Sequence, residues 1–256
     1  MQQCTPAAAW YVISLRPRGA HAAVRRAAAR HGAGVVALSP WILRARNAAS
    51  SAARVVASSR VVFTSPAAVR SAAALHPLAG LGARTWLAVG AGTAAALRRA
   101  GIDTVVAPAR MDSDGLLALP ALRDLAGADV GLVTAPDGRG VLAPALRARG
   151  ARILRADVYE RQPVAPDPRA VATLLDLRVP AVVLLTSGGA LARMVEVLPP
   201  PVLSRLRRCA VVAASDRLCA LASEAGFPAA TRADGPRPSQ LLAAAAAAAG
   251  SASMRA

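Results

Sequence analysis

The chain has 256 residues and a formal charge of +17, and because lysine is absent its 31 Lys-or-Arg positions are all arginine. Its length accommodates one large α/β domain or two small ones, each with its own core. Hydrophobic residues make up 55% and aromatics only 3%, so the cores must be built from Val, Leu, Ile and Ala, as in parallel strands under Ala-rich helices.

The charge has two readings: arginine standing for lysine over an ordinary surface, or attraction of an acidic partner, since arginine binds carboxylate and phosphate well. Nucleic acid fits poorly, because the arginines are dispersed and two Phe and two Tyr offer no stacking platform. A small anionic molecule is the expected partner. Cys4, Cys209 and Cys219 have neither metal-site nor disulfide spacing. Residues 1–9 lack the basic and apolar regions of a signal peptide, and the longest apolar run, 241–249, is too short to span a bilayer. A cytoplasmic chain with no membrane partner is expected, with a monomer as the default.

In chain order, β-branched runs predict strands at 10–15, 35–38, 60–63, 85–89, 130–134, 153–159, 181–185 and 209–213. Ala/Arg/Leu-rich stretches predict helices at 20–31, 66–75, 93–100, 115–125, 141–149, 169–177, 190–198 and 217–225. This alternation argues for parallel sheets with right-handed crossovers. The fold class is α/β.

The chain also resembles itself. Val62-Phe63-Thr64-Ser65-Pro66-Ala67 matches Leu184-Leu185-Thr186-Ser187-Gly188-Gly189 in pattern, and each is followed by a strand, a small residue (Gly90 or Ser215) and a helix. Ser14 to Gly19 and Thr134 to Gly140 correspond more loosely, each following an apolar strand and opening a helix. Two similar units are expected. Extended, proline-bearing stretches at 37–42 and 157–163 suggest a discontinuous division: residues 1–37 with 164–256 in one domain, 42–156 in the other, and 38–41 with 157–163 between them.

In open parallel sheets ligands bind at the carboxyl ends of the strands, and Thr64-Ser65 and Thr186-Ser187 occupy those ends. Each is open to two readings: an N-cap satisfying orphan amides, or part of an anion site made by those amides and the helix dipole. Val89-Gly90-Ala91-Gly92-Thr93 is a Gly-rich turn lacking the third glycine and downstream acid of a dinucleotide fingerprint. Asp112-Ser113-Asp114-Gly115 reads as a cap with ligand contact, and Asp137-Gly138-Arg139-Gly140 joins a free backbone to an arginine suited to a carboxylate. His21, His31 and His76 are read as surface or capping residues. No Ser-His-Asp set, paired catalytic carboxylates, Walker loop or metal cluster stands out. If the chain is an enzyme, it is expected to work mainly by holding a reactive substrate in one shape and by backbone dipoles. Tyr159 is read either as a cleft-facing group or as interface packing.

Taken in order, these residues resemble the uroporphyrinogen-III synthase family from about Trp10 to Leu242. The blocks are Leu15-Arg16-Pro17; Phe63-Thr64-Ser65-Pro66-Ala67-Ala68-Val69; Ala88-Val89-Gly90-Ala91-Gly92-Thr93-Ala94 with Leu97 and Gly101-Ile102; Ser113-Asp114-Gly115-Leu116; Gly138-Arg139-Gly140; Val158-Tyr159; and Leu185-Thr186-Ser187. The resemblance implies two similar parallel-sheet α/β domains joined by a two-stranded antiparallel ladder, with the active site in the cleft between them. It implies cyclisation of the linear tetrapyrrole hydroxymethylbilane to uroporphyrinogen III, with inversion of the last ring and no cofactor. On the same basis Tyr159 helps the hydroxyl leave, while Arg16, Thr64, Ser65, Gly90, Thr93, Ser113, Gly138, Arg139, Thr186, Ser187 and Gly188 bind the polycarboxylate.

The chain departs from the family in an Ala/Arg/Ser-rich stretch at 44–59 and in Leu218, which stands where the first unit has Thr93. The alternatives are a two-domain sensor of a polyanion, without chemistry, and an Arg-rich nucleic-acid binder.

Overall fold

A computed structural model describes residues 8–81, 84–136, 140–228 and 230–253. The chain begins with β1 (Trp10–Ser14), α1 (Ala22–Ala29), β2 (Ala33–Ala37) and β3 (Trp41–Ala45). It continues with α2 (Ala49–Val56), β4 (Arg60–Phe63), α3 (Pro66–Leu75), β5 (Thr85–Ala88), α4 (Ala91–Arg99) and β6 (Val105–Val106). Then come α5 (Ser113–Leu117), a 3-10 turn (Pro120–Leu122), β7 (Asp129–Thr134), α6 (Leu142–Ala148), β8 (Arg152–Asp157) and β9 (Tyr159–Pro163). The last part is α7 (Pro168–Asp176), β10 (Ala181–Leu185), α8 (Gly188–Val197), α9 (Pro200–Arg207), β11 (Ala210–Ala213), α10 (Asp216–Glu224), β12 (Ala230–Arg232) and α11 (Pro238–Ser253).

Two compact units result, one within Met1–Ile42 and Pro163–Ala256, the other within Leu43–Gln162. The first holds a parallel sheet in the order β12-β11-β10-β1-β2, the second a parallel sheet in the order β6-β5-β4-β7-β8. β3 and β9, in which the chain crosses from one unit to the other, form a small antiparallel sheet.

The two large sheets are one arrangement entered at different points. β10, β11 and β12 correspond to β4, β5 and β6, and β1 and β2 to β7 and β8. The hydrogen bonds that follow the strands agree. The Leu38 N–H donates to the Ser14 carbonyl and Val158 to Thr134, both at 3.1 Å, while Ala214 donates to Leu185 at 3.0 Å and Val89 to Phe63 at 3.1 Å.

Alternate strand residues point to opposite faces, so each sheet has two cores. In the first unit Ile13, Val183, Leu185 and Val211 pack with α7, α8, α9 and α10 residues, while Val12, Val182, Leu184 and Val212 meet α1 and α11. In the second, Val61, Phe63 and Val133 lie under α2, α3 and α4, and Val62, Leu87, Val130 and Leu132 under α5 and α6. The run 241–249 lies within α11, whose Leu241, Leu242, Ala245 and Ala249 are buried on the sheet. Among the described residues no helix is long and apolar enough to cross a membrane.

The single helix expected at 115–125 is broken. α5 stops at Leu117 and Pro120 opens a 3-10 turn, because proline lacks the N–H the helix needs and restricts the residue before it. The Ala/Arg/Ser-rich stretch holds α2, whose Ala52, Val55 and Val56 are buried, and the sequence reading also passed over α9 and α11.

Candidate functional site

In the second unit the chain leaves β4 for β5 on one side and returns through β7 on the other. This is the switch point at which an open parallel sheet forms a crevice beyond its strand ends. A cavity of about 260 Å³ lies there, bordered by Thr64, Ser65, Thr134 and Tyr159, by Asp112 and Ser113, by Leu132, Val141 and Leu142, and by Arg155 and Arg161.

Thr64 follows β4, and its hydroxyl lies 2.9 Å from that of Thr134 and 3.3 Å from the Val133 carbonyl. Ser65 is the N-cap of α3: its Oγ accepts the Ala68 N–H at 3.0 Å, and Pro66 starts the helix without needing a donor. The same Oγ lies 3.0 Å from the hydroxyl of Tyr159, a residue only 4% exposed at the start of β9. The structure shows the cap reading of Ser65 and places the same residue in the cavity lining.

Asp112 caps α5 by accepting the Gly115 N–H at 2.8 Å, and Ser113 beside it lines the cavity. Burial opposes ionisation of Asp112, but the Gly115 N–H and the Arg110 guanidinium outweigh it and hold the carboxyl below its usual range. Arg155, also in the lining, is held at 2.9 Å by Asp157 and donates to the Ala135 and Pro136 carbonyls at 3.0 and 3.2 Å. Arg155 and Arg161 escaped the sequence reading. The period-2 spacing of Arg155, Asp157, Tyr159 and Arg161 was the signal, since it sets them on one face of extended chain.

Other expected site residues fall elsewhere. Gly90 is the N-cap of α4, in extended conformation, and a Cβ on it would stand 3.0 Å from that of Met111. Thr93 is buried (2% exposed) in the first turn of α4, outside the cavity lining. Gly138 and Arg139 lie outside the described residues. In the first unit Ser187 caps α8, accepting the Ala190 N–H at 3.3 Å, with half-buried Thr186 before it. Gly188 lets α8 approach α10, because a Cβ there would meet Leu221 at 2.8 Å. Arg16, just beyond β1, is half-buried, and that burial lowers its pKa.

His21 departs from the sequence reading. It is neither a surface group nor a side-chain cap: it is 3% exposed, with Nδ1 3.0 Å from Ser14 Oγ and Nε2 2.9 Å from Ser39 Oγ. Burial, then the charges of Arg25 and Arg16, push its pKa down to about 4. The pattern misled because a histidine at a helix start usually faces water, whereas two serines from neighbouring strand ends draw this one inward. His31 is exposed, and His76 is the C-cap residue of α3. Cys209 is buried, and that burial pushes its thiol pKa up, as suits a small packing residue. Among the described residues no group of three or more His, Cys, Asp or Glu side chains is placed to hold a metal ion.

Fold and site define a protein of two related parallel α/β units, one of which opens a hydroxyl- and arginine-lined pocket at its strand ends. The family model described as uroporphyrinogen-III synthase HemD matches residues 22–243. The chain belongs to the uroporphyrinogen-III synthase family. It is 30% identical over 144 residues to the uroporphyrinogen-III synthase of Escherichia coli and 32% identical to that of Salmonella typhimurium. Each match spans 56% of this chain and 58% of the relative, so the matched part is little more than half of those proteins' length.

Two solved structures share the fold. A mutant uroporphyrinogen III synthase of Thermus thermophilus aligns with TM-score 0.60 at 20% identity, over 94% of this chain and 99% of that one. A uroporphyrinogen-III synthetase of Helicobacter pylori aligns with TM-score 0.60 at 13% identity, over 93% and 99%.

Proposed function

We propose that the protein closes hydroxymethylbilane to uroporphyrinogen III, inverting ring D and releasing water, as a step of tetrapyrrole biosynthesis. The observation that carries this reading is the second unit's pocket, in which the Tyr159 and Ser65 hydroxyls stand 3.0 Å apart beside Arg155 and Arg161. Family membership and the relatives' names support the same activity.

The substrate's terminal hydroxyl, aided by a hydrogen bond from Tyr159, leaves as water with the N–H proton of its own ring, and the neutral azafulvene remains. The substituted carbon of ring D attacks the exposed methylene to give a spiro intermediate. That intermediate breaks the bond between the substituted carbon and the methylene of ring C, and this methylene then bonds the free carbon of the turned ring, which loses its proton. Because uncatalysed closure gives the uninverted isomer, the enzyme acts chiefly by holding one conformation. Thr64, Ser65, Ser113 and the Gly90 turn hold acetate and propionate groups, and Arg16, Thr186, Ser187 and Gly188 are assigned the same role. The reading includes a cytoplasmic monomer with no nucleic-acid partner, supported by the dispersed arginines and scarce aromatics.

Incubation with hydroxymethylbilane and isomer analysis of the oxidised product tests it. Uroporphyrinogen III is expected, and release of the uninverted isomer alone rejects the reading.

A further inference from the structure

The two strand edges are built alike, yet at one position they differ in kind. Ser14 ends β1 and Thr134 ends β7. Seven residues on, His21 and Val141 are the N-cap residues of α1 and α6, with φ, ψ of −90°, −10° and −72°, −32°, and neither side chain caps its helix. Ser39 and Tyr159 directly follow Leu38 and Val158, whose N–H groups bond the Ser14 and Thr134 carbonyls at the same 3.1 Å. Ser14, His21 and Ser39 thus correspond to Thr134, Val141 and Tyr159.

In the first unit the His21 imidazole fills the space between the two serine hydroxyls, 3.0 and 2.9 Å from its nitrogens. In the second unit Val141 is 48% exposed, and Thr134, Val141 and Tyr159 line an open cavity of about 260 Å³. The first unit carries its own five-membered nitrogen ring where the second, at corresponding backbone positions, has an open cavity, with Thr134 turned to Thr64 and Tyr159 to Ser65.

We infer that the second unit's cavity is the seat of one pyrrole ring of the ligand, gripped at its edge by Thr134 and Tyr159 as Ser14 and Ser39 grip His21. The inference deepens the proposed tetrapyrrole reading and rests on it for the identity of the ring. Imidazole offers two nitrogens, pyrrole a single N–H donor. Thr134 Oγ1, which keeps an acceptor lone pair beside its contact with Thr64, takes that N–H. The Tyr159 hydroxyl is left for a substituent of the ring, the position required of a group that helps a hydroxyl depart. Leu132, Leu142 and Val141 supply apolar contact to the ring faces. Thr134 is therefore a ligand-contacting residue that the sequence marks only as the start of a turn, and His21 confines ring binding to one unit.

The test uses the full chain and pyrrole-2-carboxylate as probe, followed by calorimetry. Wild type is expected to bind it saturably. Val141→His places a second built-in imidazole at the cavity and is expected to weaken binding at least tenfold. Leu175→His, the same change at an exposed site on α7 (39% exposed), is expected to leave it unchanged. In the other direction, His21→Gly is expected to lose thermal stability and regain it on addition of imidazole, by more than wild type gains. Absence of saturable binding to wild type, or a Val141→His variant that binds as tightly as wild type, overturns the inference; should His21→Gly fail to fold, the Val141 arm decides alone. Isomer analysis stays separate: a chain that binds pyrrole-2-carboxylate but forms only the uninverted macrocycle keeps its ring seat and refutes the synthase reading.

Discussion

The hydroxyl of Tyr159, at the first residue of β9, lies 3.0 Å from that of Ser65, the N-cap of α3. Ser65 already accepts the Ala68 N–H, so its own proton is available to Tyr159. When Ser65 donates, the phenol proton is left for a ligand. Tyr159→Phe is expected to lower kcat about tenfold, roughly 1.4 kcal/mol, the scale of one hydrogen bond to a developing charge. Undiminished turnover of the variant at saturating hydroxymethylbilane would remove Tyr159 from this role.

Ser65→Ala should act on stability as well as rate. Loss of an N-cap side chain costs about 1 kcal/mol, which Tyr159→Phe does not incur. The denaturant midpoint separates the two: both variants lose the Ser65–Tyr159 bond, and Ser65→Ala, which loses the cap as well, should fall further. A rate loss in Ser65→Ala with no midpoint change would contradict the cap.

His21 gives the fold an acid dependence whose sign is fixed. Its folded pKa of about 4 lies below the 6.5 of the free side chain, so the folded state disfavours the proton. Above pH 6.5 the residue has no effect. As pH falls from 6.5 to about 4 the unfolded chain takes up the proton first, and stability drops by about 3 kcal/mol before levelling off. Denaturation of wild type and His21→Asn across that window should show a wild-type slope that the variant lacks; parallel curves would refute the assignment.

One substitution at two glycines should have opposite signs. At Gly131, in β7, a Cβ would stand 2.3 Å from the Val55 carbonyl, where α2 crosses the sheet. Gly131→Ala should therefore cost at least about 1–3 kcal/mol, as overpacking does. Gly250, in α11, has nothing within 4 Å, and Gly250→Ala should stabilise by about 0.5–1 kcal/mol. Thermal midpoints of both variants decide it, and a neutral Gly131→Ala would contradict the approach of α2.

Those parts of the fold whose residues carry a local signal were open to sequence reasoning. The valine runs at 60–63 and 181–185 form strands because β-branched residues suit a pleated, buried surface, and Thr64-Ser65 and Thr186-Ser187 follow them as expected. α11 was missed because its alanines carry almost no helical amphipathicity; it is set by the sheet it covers. α2 was missed for a different reason: it is amphipathic, with Ala52, Val55 and Val56 buried, but Ala48 at its N-cap gives no start signal and serines occupy its first turn.

In the site, Tyr159 and Ser65 were named singly, but a bond across 94 positions has no local trace. Thr134 and His21 owe their roles to strands brought together by the fold. Their neighbours in sequence say only that a helix is about to begin.

The different entry points of the chain into its two sheets bear on biosynthesis. β4 to β8, the whole second sheet, lie within residues 60–157, whereas β1 and β2 need β10, at 181–185, to cover the other edge of β1. During synthesis from the N-terminus, the second unit can close while the first still waits with Tyr11 to Ser14 unpaired on one side. The protein thus emerges from the ribosome with its pocket-bearing half complete and a bare β edge held open for its last third. That interval, rather than the finished fold, is where a chaperone or a second nascent chain would find it vulnerable.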